Sequence, residues 1–219
     1  MSAGIERHLL VARLRDEIRR IERRPGRRSG AVPCGRPEID ALLPDGGFRR
    51  GALTELAGGP ASGKTAVALA LFAALGAEEL AAFVDGAGEL YPPAAIEIGV
   101  DLSRLLVIRP DGDVRGGDRA LAALWAAEAA LGSGAFAAVA IDACVARSIR
   151  GAEAAARRLQ GAAEKGGTIW LWLAPRGGAA LRVPAAVRLE LRAEEGRIMG
   201  RRPGAMAARV AAGGVTDAA

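Results

Sequence analysis

Gly58-Gly59-Pro60-Ala61-Ser62-Gly63-Lys64-Thr65 have the residue types and spacing to hold a polyphosphate. They fit the pattern G-x-x-x-x-G-K-[ST], in which each position has a physical task. Gly58 and Gly63 permit a backbone that wraps an anion with its N–H groups. Lys64 brings a compact ammonium to the β and γ oxygens, and Thr65 offers a hydroxyl to Mg2+ at the mouth of a helix whose dipole favours anions. Of the thirty basic residues only Lys64 and Lys165 are lysine, so one of the two stands where a point cation is wanted. Asp142 ends the apolar run Ala137-Ala138-Val139-Ala140-Ile141 and is the candidate second Mg2+ ligand, acting through water. The implied ligand is ATP or ADP with Mg2+. Asp85 also ends an apolar run, where it serves either the same crevice or its own turn.

The elements that must position these residues are legible in hydrophobic pattern. Leu53 to Ala57 reads as a strand entering the loop, and Ala66 to Leu75 as a strong helix leaving it. Unbroken apolar runs at 81–85, 105–108, 137–142 and 168–173 have the character of buried parallel strands. Helical segments near 92–99, 117–131 and 148–164 separate them, with a short helix over 37–43 before the first. This alternation predicts an α/β fold of the P-loop NTPase kind, a mostly parallel central sheet with helices on both faces and a ligand at the carboxyl ends of its strands. Val187 to Arg192 alternates and reads as an edge strand, with Arg197-Ile198-Met199 as its hairpin partner. Trp125, Trp170 and Trp172 are expected to fill the core.

The 219 residues fit one domain with short appendages: residues 1–30, a core over 31–203, and a small-residue tail over 204–219. From Ile5 to about Arg24 the pattern is helical, with Val11, Leu14, Ile18 and Ile21 forming a narrow apolar seam flanked by arginines. Pro25-Gly26-Arg27-Arg28-Ser29-Gly30 reads as a hinge. Net charge is +5, with the basic excess concentrated in this appendage and near the carboxyl end at Arg197, Arg201, Arg202 and Arg209. Salt-dependent, sequence-blind DNA contact through Arg23, Arg24, Arg27 and Arg28 is allowed, but without interleaved aromatics the segment is a poor platform for stacked bases. No apolar run approaches a membrane span, no secretory leader is evident, and Cys34 and Cys144 lack partners at metal-ligand spacing; a cytoplasmic protein is expected. His8, the only histidine, removes His-rich metal sites and triads from consideration.

The stretch from Gly35 to Gly51, running into the loop, resembles the lead-in of bacterial RecA recombinases. Phe83-Val84-Asp85 with Gly99-Val100-Asp101 and Leu105-Leu106-Val107, and Ala180-Leu181-Arg182 through Val187 to Arg192, are similar to that family at matching spacing. The resemblance covers roughly residues 5–200. It implies a RecA-like P-loop core, and the departures from it are informative. Ala87 stands where RecA places its catalytic glutamate, with Glu89 nearby as the one candidate water-positioning residue. Leu173-Ala174 replace the polar pair that senses the γ-phosphate, and an apolar pair cannot hydrogen-bond it. Tyr91 and Ala94 match the adenine contacts, Tyr91 being able to stack on a base. The segments after Asp142 and after Ala174 read as too short for long DNA-binding loops, and the carboxy-terminal domain of the family is expected to be missing, so strand exchange is not expected.

A RecA core with these features is similar to the ImuA family, RecA-like accessory proteins of SOS-induced translesion mutagenesis. That resemblance implies an adaptor with little or no ATP hydrolysis, whose partners are RecA, an ImuB-like polymerase accessory protein, or both, engaged through the seam Val11, Leu14, Ile18 and Ile21. The alternatives are a DNA-dependent ATPase of the recombinase-paralogue or mediator kind using Glu89, and a SulA-type cell-division inhibitor.

Overall fold

The computed structural model describes residues 30–110, 119–142, 152–175 and 185–203. The seam Val11, Leu14, Ile18 and Ile21, the arginines of the first segment and the 204–219 tail lie outside them. A short ribbon comes first, β1 (Ala31–Val32) paired antiparallel with β2 (Phe48–Arg49) around the one-turn helix α1 (Pro37–Asp40). Then follow β3 (Leu53–Gly58), α2 (Lys64–Ala73), β4 (Leu80–Val84), α3 (Pro92–Ile98), a 3-10 turn (Leu102–Arg104) and β5 (Leu105–Ile108). The chain continues through α4 (Arg119–Ser133), β6 (Phe136–Asp142), α5 (Ala152–Gly166), β7 (Ile169–Pro175), β8 (Val187–Glu194) and β9 (Arg197–Arg201).

The main sheet has seven strands in the order β5-β4-β6-β7-β3-β8-β9, parallel throughout except for β9, which returns antiparallel on β8. This is the mostly parallel α/β architecture expected from the alternating runs. β3, in the interior between β7 and β8, is buried along its whole length. Its even and odd side chains feed two separate cores. Leu56 joins Leu69, Leu71 and Phe83 under α2 and α3, while Leu53 and Ala57 join Trp170, Trp172 and the alanine faces of α4 and α5. Trp170 and Trp172 are fully buried and meet edge to face, ring centroids 6.1 Å apart.

Two expectations are corrected. β8 is not an edge strand, because β9 lies outside it; its alternation arises because Leu189 and Leu191 enter the core while Arg188 and Arg192 on the other face remain exposed. Trp125 does not fill the core either. It stands one helical turn from Leu121 on the outer face of α4, and both are exposed, at 52% and 45%. The alanines of α4 turn inward instead and let the helix approach the sheet closely.

Glu55 is the one carboxylate buried in the centre of β3. Arg188 on β8, its register partner, donates from Nε and its second terminal nitrogen to Oε2, both at 2.7 Å. Oε1 has no hydrogen-bond partner among the described residues. The pair therefore ties the loop-bearing strand to the hairpin beside it.

Cys34 is buried, and burial, the largest cause, pushes its thiol from 9.0 up to about 12. Alkylation proceeds through the thiolate, so at pH 8 native Cys34 should react roughly a thousandfold more slowly than an unfolded cysteine. In a Cys144→Ser background, iodoacetamide should label the protein rapidly only after urea is added; rapid labelling in native buffer would contradict this environment.

Candidate nucleotide-binding loop

β3 delivers Gly58 to the carboxyl edge of the sheet, and the chain turns there into α2, whose first residue is Lys64. Gly63 takes the N-cap position at φ +88, the left-handed region. With no side chain at that position, the opening turn of α2 carries no side-chain cap, and no acidic residue occupies it. A helix start of ten residues left in this state offers outward N–H donors and a positive dipole end to an anion. Ala61 adopts φ +53, a left-handed conformation costing an alanine about 1–2 kcal/mol. Alternation of backbone hand along 61–64 is how successive N–H groups converge into an anion-binding nest.

Lys64 folds back over the loop. Its Nζ donates to the carbonyl oxygens of Gly58 and Gly59, both at 2.8 Å, and to Ser62 Oγ at 3.3 Å. The ammonium is thus held against the loop's own oxygens. Ser62 is buried and Thr65 half-buried, so the Thr65 hydroxyl lies near the surface at the first turn of α2.

Asp142 ends β6 beside Leu173, and Leu173 lies beside Leu56. Two strand spacings, ~10 Å, therefore separate the Asp142 strand from the loop strand at the same edge of the sheet. Near its end the strand between them carries Leu173 and Ala174, both fully buried and apolar, before closing at Pro175. Among the described residues no cluster of three or more His, Cys, Asp or Glu is arranged to hold a metal ion, so metal binding here would rest on a nucleotide's own oxygens together with Thr65 and Asp142.

Asp85 has a structural task. Its carboxylate, 2% exposed, accepts from the backbone N–H groups of Glu89 at 2.9 Å and Leu90 at 3.2 Å and from Arg109 Nε at 3.0 Å, while Arg109 also donates to the Leu90 carbonyl at 3.0 Å. It pins the turn that carries Ala87 and Glu89. Glu89 is exposed on that turn, beyond β4 and three strands from β3; Tyr91, at the N-cap of α3, is 66% exposed, and Ala94 is half-buried one turn into the helix. Replacing Asp85 by Ala would leave three donors without their acceptor, and should lower the unfolding free energy by about 3 kcal/mol in a urea titration. A change below about 1 kcal/mol would mean that the turn is held by other contacts.

Sequence reasoning missed Leu191 and Ile198 of the β8–β9 hairpin, which press against Gly58 and Gly63 from the side opposite β7. No local signal connects them to the loop; only the sheet order does.

A seven-stranded, mostly parallel sheet with a glycine-rich turn leading from an interior strand into an uncapped helix defines a RecA-like P-loop α/β protein. The RecA N-terminal domain family matches residues 15–160, and the chain belongs to that family. Protein RecA of Bacillus licheniformis is 33% identical over 201 residues, covering 77% of this chain and 56% of the relative. Protein RecA of Kineococcus radiotolerans is 42% identical over 103 residues, covering 46% and 27% of the two chains, and that of Corynebacterium diphtheriae 45% over 82 residues, covering 37% and 22%. The chain thus spans between about a fifth and just over half of these relatives' lengths. No helix among the described residues is long and apolar enough to cross a membrane.

Proposed function

We propose that this protein is a nucleotide-binding, RecA-like adaptor of SOS-induced translesion synthesis that holds Mg-ATP or Mg-ADP and hydrolyses it weakly or not at all. What supports this reading is the G-x-x-x-x-G-K-T turn into an uncapped helix start, together with Ala87 at the position that the resemblance assigns to the catalytic glutamate. Gly58 through Thr65 would enclose the phosphates, with Lys64 Nζ exchanging its bonds to Gly58, Gly59 and Ser62 for phosphate oxygens. Thr65 and, through water, Asp142 would hold the Mg2+. A small apolar side chain at Ala87 can neither orient nor deprotonate a water. Leu173 and Ala174 have no donor to aim at a γ-phosphate. The partners are RecA, an ImuB-like polymerase accessory protein, or both, with the seam Val11, Leu14, Ile18 and Ile21 as the docking face and DNA contact limited to weak, salt-sensitive binding.

The second reading is a compact DNA-dependent ATPase. Glu89 on an exposed turn favours it, since a carboxylate two residues from Ala87 stands free to swing toward solvent. The two readings separate in one set of measurements. The adaptor reading expects capture of RecA or a polymerase accessory protein by the full chain, loss of capture when residues 1–30 are deleted, and no stimulation of ATP turnover by single-stranded DNA. Turnover stimulated by DNA and abolished by Glu89→Gln would replace it with the ATPase.

A further inference from the structure

The β8–β9 hairpin lies against the proposed cradle at two of its three glycines, Gly58 and Gly63. A Cβ placed on Gly58 would stand 2.7 Å from the carbonyl oxygen of Leu191 on β8, and one placed on Gly63 would stand 2.6 Å from Cδ1 and 2.7 Å from Cγ1 of Ile198 on β9. These glycines serve more than backbone freedom: a side chain at Gly58 would collide with Ser62 of the loop as well as with Leu191, and one at Gly63 would collide with Ile198. Ile198 is itself buried, and its strand is backed by α1, since a Cβ on the neighbouring Gly200 would lie 2.7 Å from Leu42 Cδ1 and 3.3 Å from Ile39 Cδ1. Ile198 is therefore wedged between a supported strand and the mouth of α2. A β-branched side chain is stiff at χ1, so this wall yields poorly.

The state of Lys64 gives the wall a consequence. The ammonium rests on the Gly58 and Gly59 carbonyls and Ser62 Oγ. A polyphosphate competes for that ammonium and releases these acceptors, and the loop must then close around the anion through its N–H groups while leaning on whatever stands behind Gly63. We propose that Ile198 is a positioning residue of the phosphate loop, and that the β8–β9 hairpin is coupled through it to occupancy of the loop. The coupling rests on the nucleotide-binding reading above and names the element that reports the bound state. Side chains alternate along β9, so Met199 next to Ile198 points away from the core and is 42% exposed, opposite the exposed Arg192 of β8. What happens at Gly63 is one residue from a surface that a partner can reach.

The test is hydrogen exchange of the full chain with and without Mg-ATP, together with affinity for a fluorescent ATP analogue in Ile198→Ala and Ile198→Val. The expected result is nucleotide-dependent protection of amides in both 58–66 and 187–201. Ile198→Ala should weaken affinity roughly tenfold, within the range for coupled sites, and remove the nucleotide-dependent protection of the hairpin; Ile198→Val should restore both. A merely structural isoleucine would lower stability without uncoupling the two segments. Protection of 58–66 with the hairpin unchanged overturns the coupling while leaving nucleotide binding intact, and this wild-type comparison holds even if the alanine variant does not fold. Protection of neither segment overturns the coupling together with the reading on which it rests.

Discussion

Lys64→Ala should remove nucleotide binding while leaving the fold in place. The ammonium makes bonds to two carbonyls and a hydroxyl, and solvent at this half-buried position can replace them. With a triphosphate bound, the same ammonium faces anionic oxygens, and charge-assisted bonds are worth about 1.5–3 kcal/mol each. Loss of two amounts to about 3–6 kcal/mol, or roughly 100- to 10,000-fold in dissociation constant. Calorimetric titration with Mg-ATP, with a thermal melt as control, measures both halves. An affinity within a fewfold of wild type would mean that the cradle is not where the phosphates sit.

Arg188→Ala should produce the largest loss of stability from a side chain that is itself half exposed. Glu55 is fully buried, and among the described residues only one of its oxygens is partnered, by Arg188. Without the guanidinium, a carboxylate is left in the middle of the sheet, and removal of one member of a buried pair costs about 3–5 kcal/mol. Water entering along the vacated Arg188 path places this case near the lower end, about 3 kcal/mol. Replacement of both residues, Glu55→Met with Arg188→Met, should recover most of that loss, since no charge then remains buried. Denaturant titrations of the two variants decide it; a double variant as unstable as Arg188→Ala would show that packing around the methylene stem, and not the stranded charge, dominates.

Much of this fold can be read in one dimension because its central strands are buried on both faces. Runs such as 137–141 and 169–174 are apolar without interruption, as parallel strands between two helical layers must be. The loop was equally legible, since its chemistry is local: spacing of glycines, one lysine, one hydroxyl. Legibility was partial where a pattern of side chains does not record which backbone edges are paired. β8 has the alternation of an edge strand, yet the hairpin partner expected at 197–199 pairs with its outer side as β9, so the sheet edge is β9. Trp125 misled for a different reason. α4 is so rich in alanine that apolar residues surround it, the helical period disappears, and size becomes a poor guide to direction. The two-residue strands β1 and β2 carry no period at all. Asp85 was ambiguous between crevice and turn, and only its hydrogen bonds to Glu89, Leu90 and Arg109 assign it to the turn.

The central claim is that the Gly58 to Thr65 loop retains a triphosphate that the surrounding residues cannot turn over. The most direct measurement is the identity of the nucleotide recovered from the protein. Stoichiometric protein and Mg-ATP are incubated for hours, separated from free nucleotide by rapid gel filtration, denatured and analysed by ion-exchange chromatography. Intact ATP in near-equimolar yield is the predicted result; recovery of ADP with phosphate released at the rate of an active recombinase, or of no nucleotide at all, would contradict it.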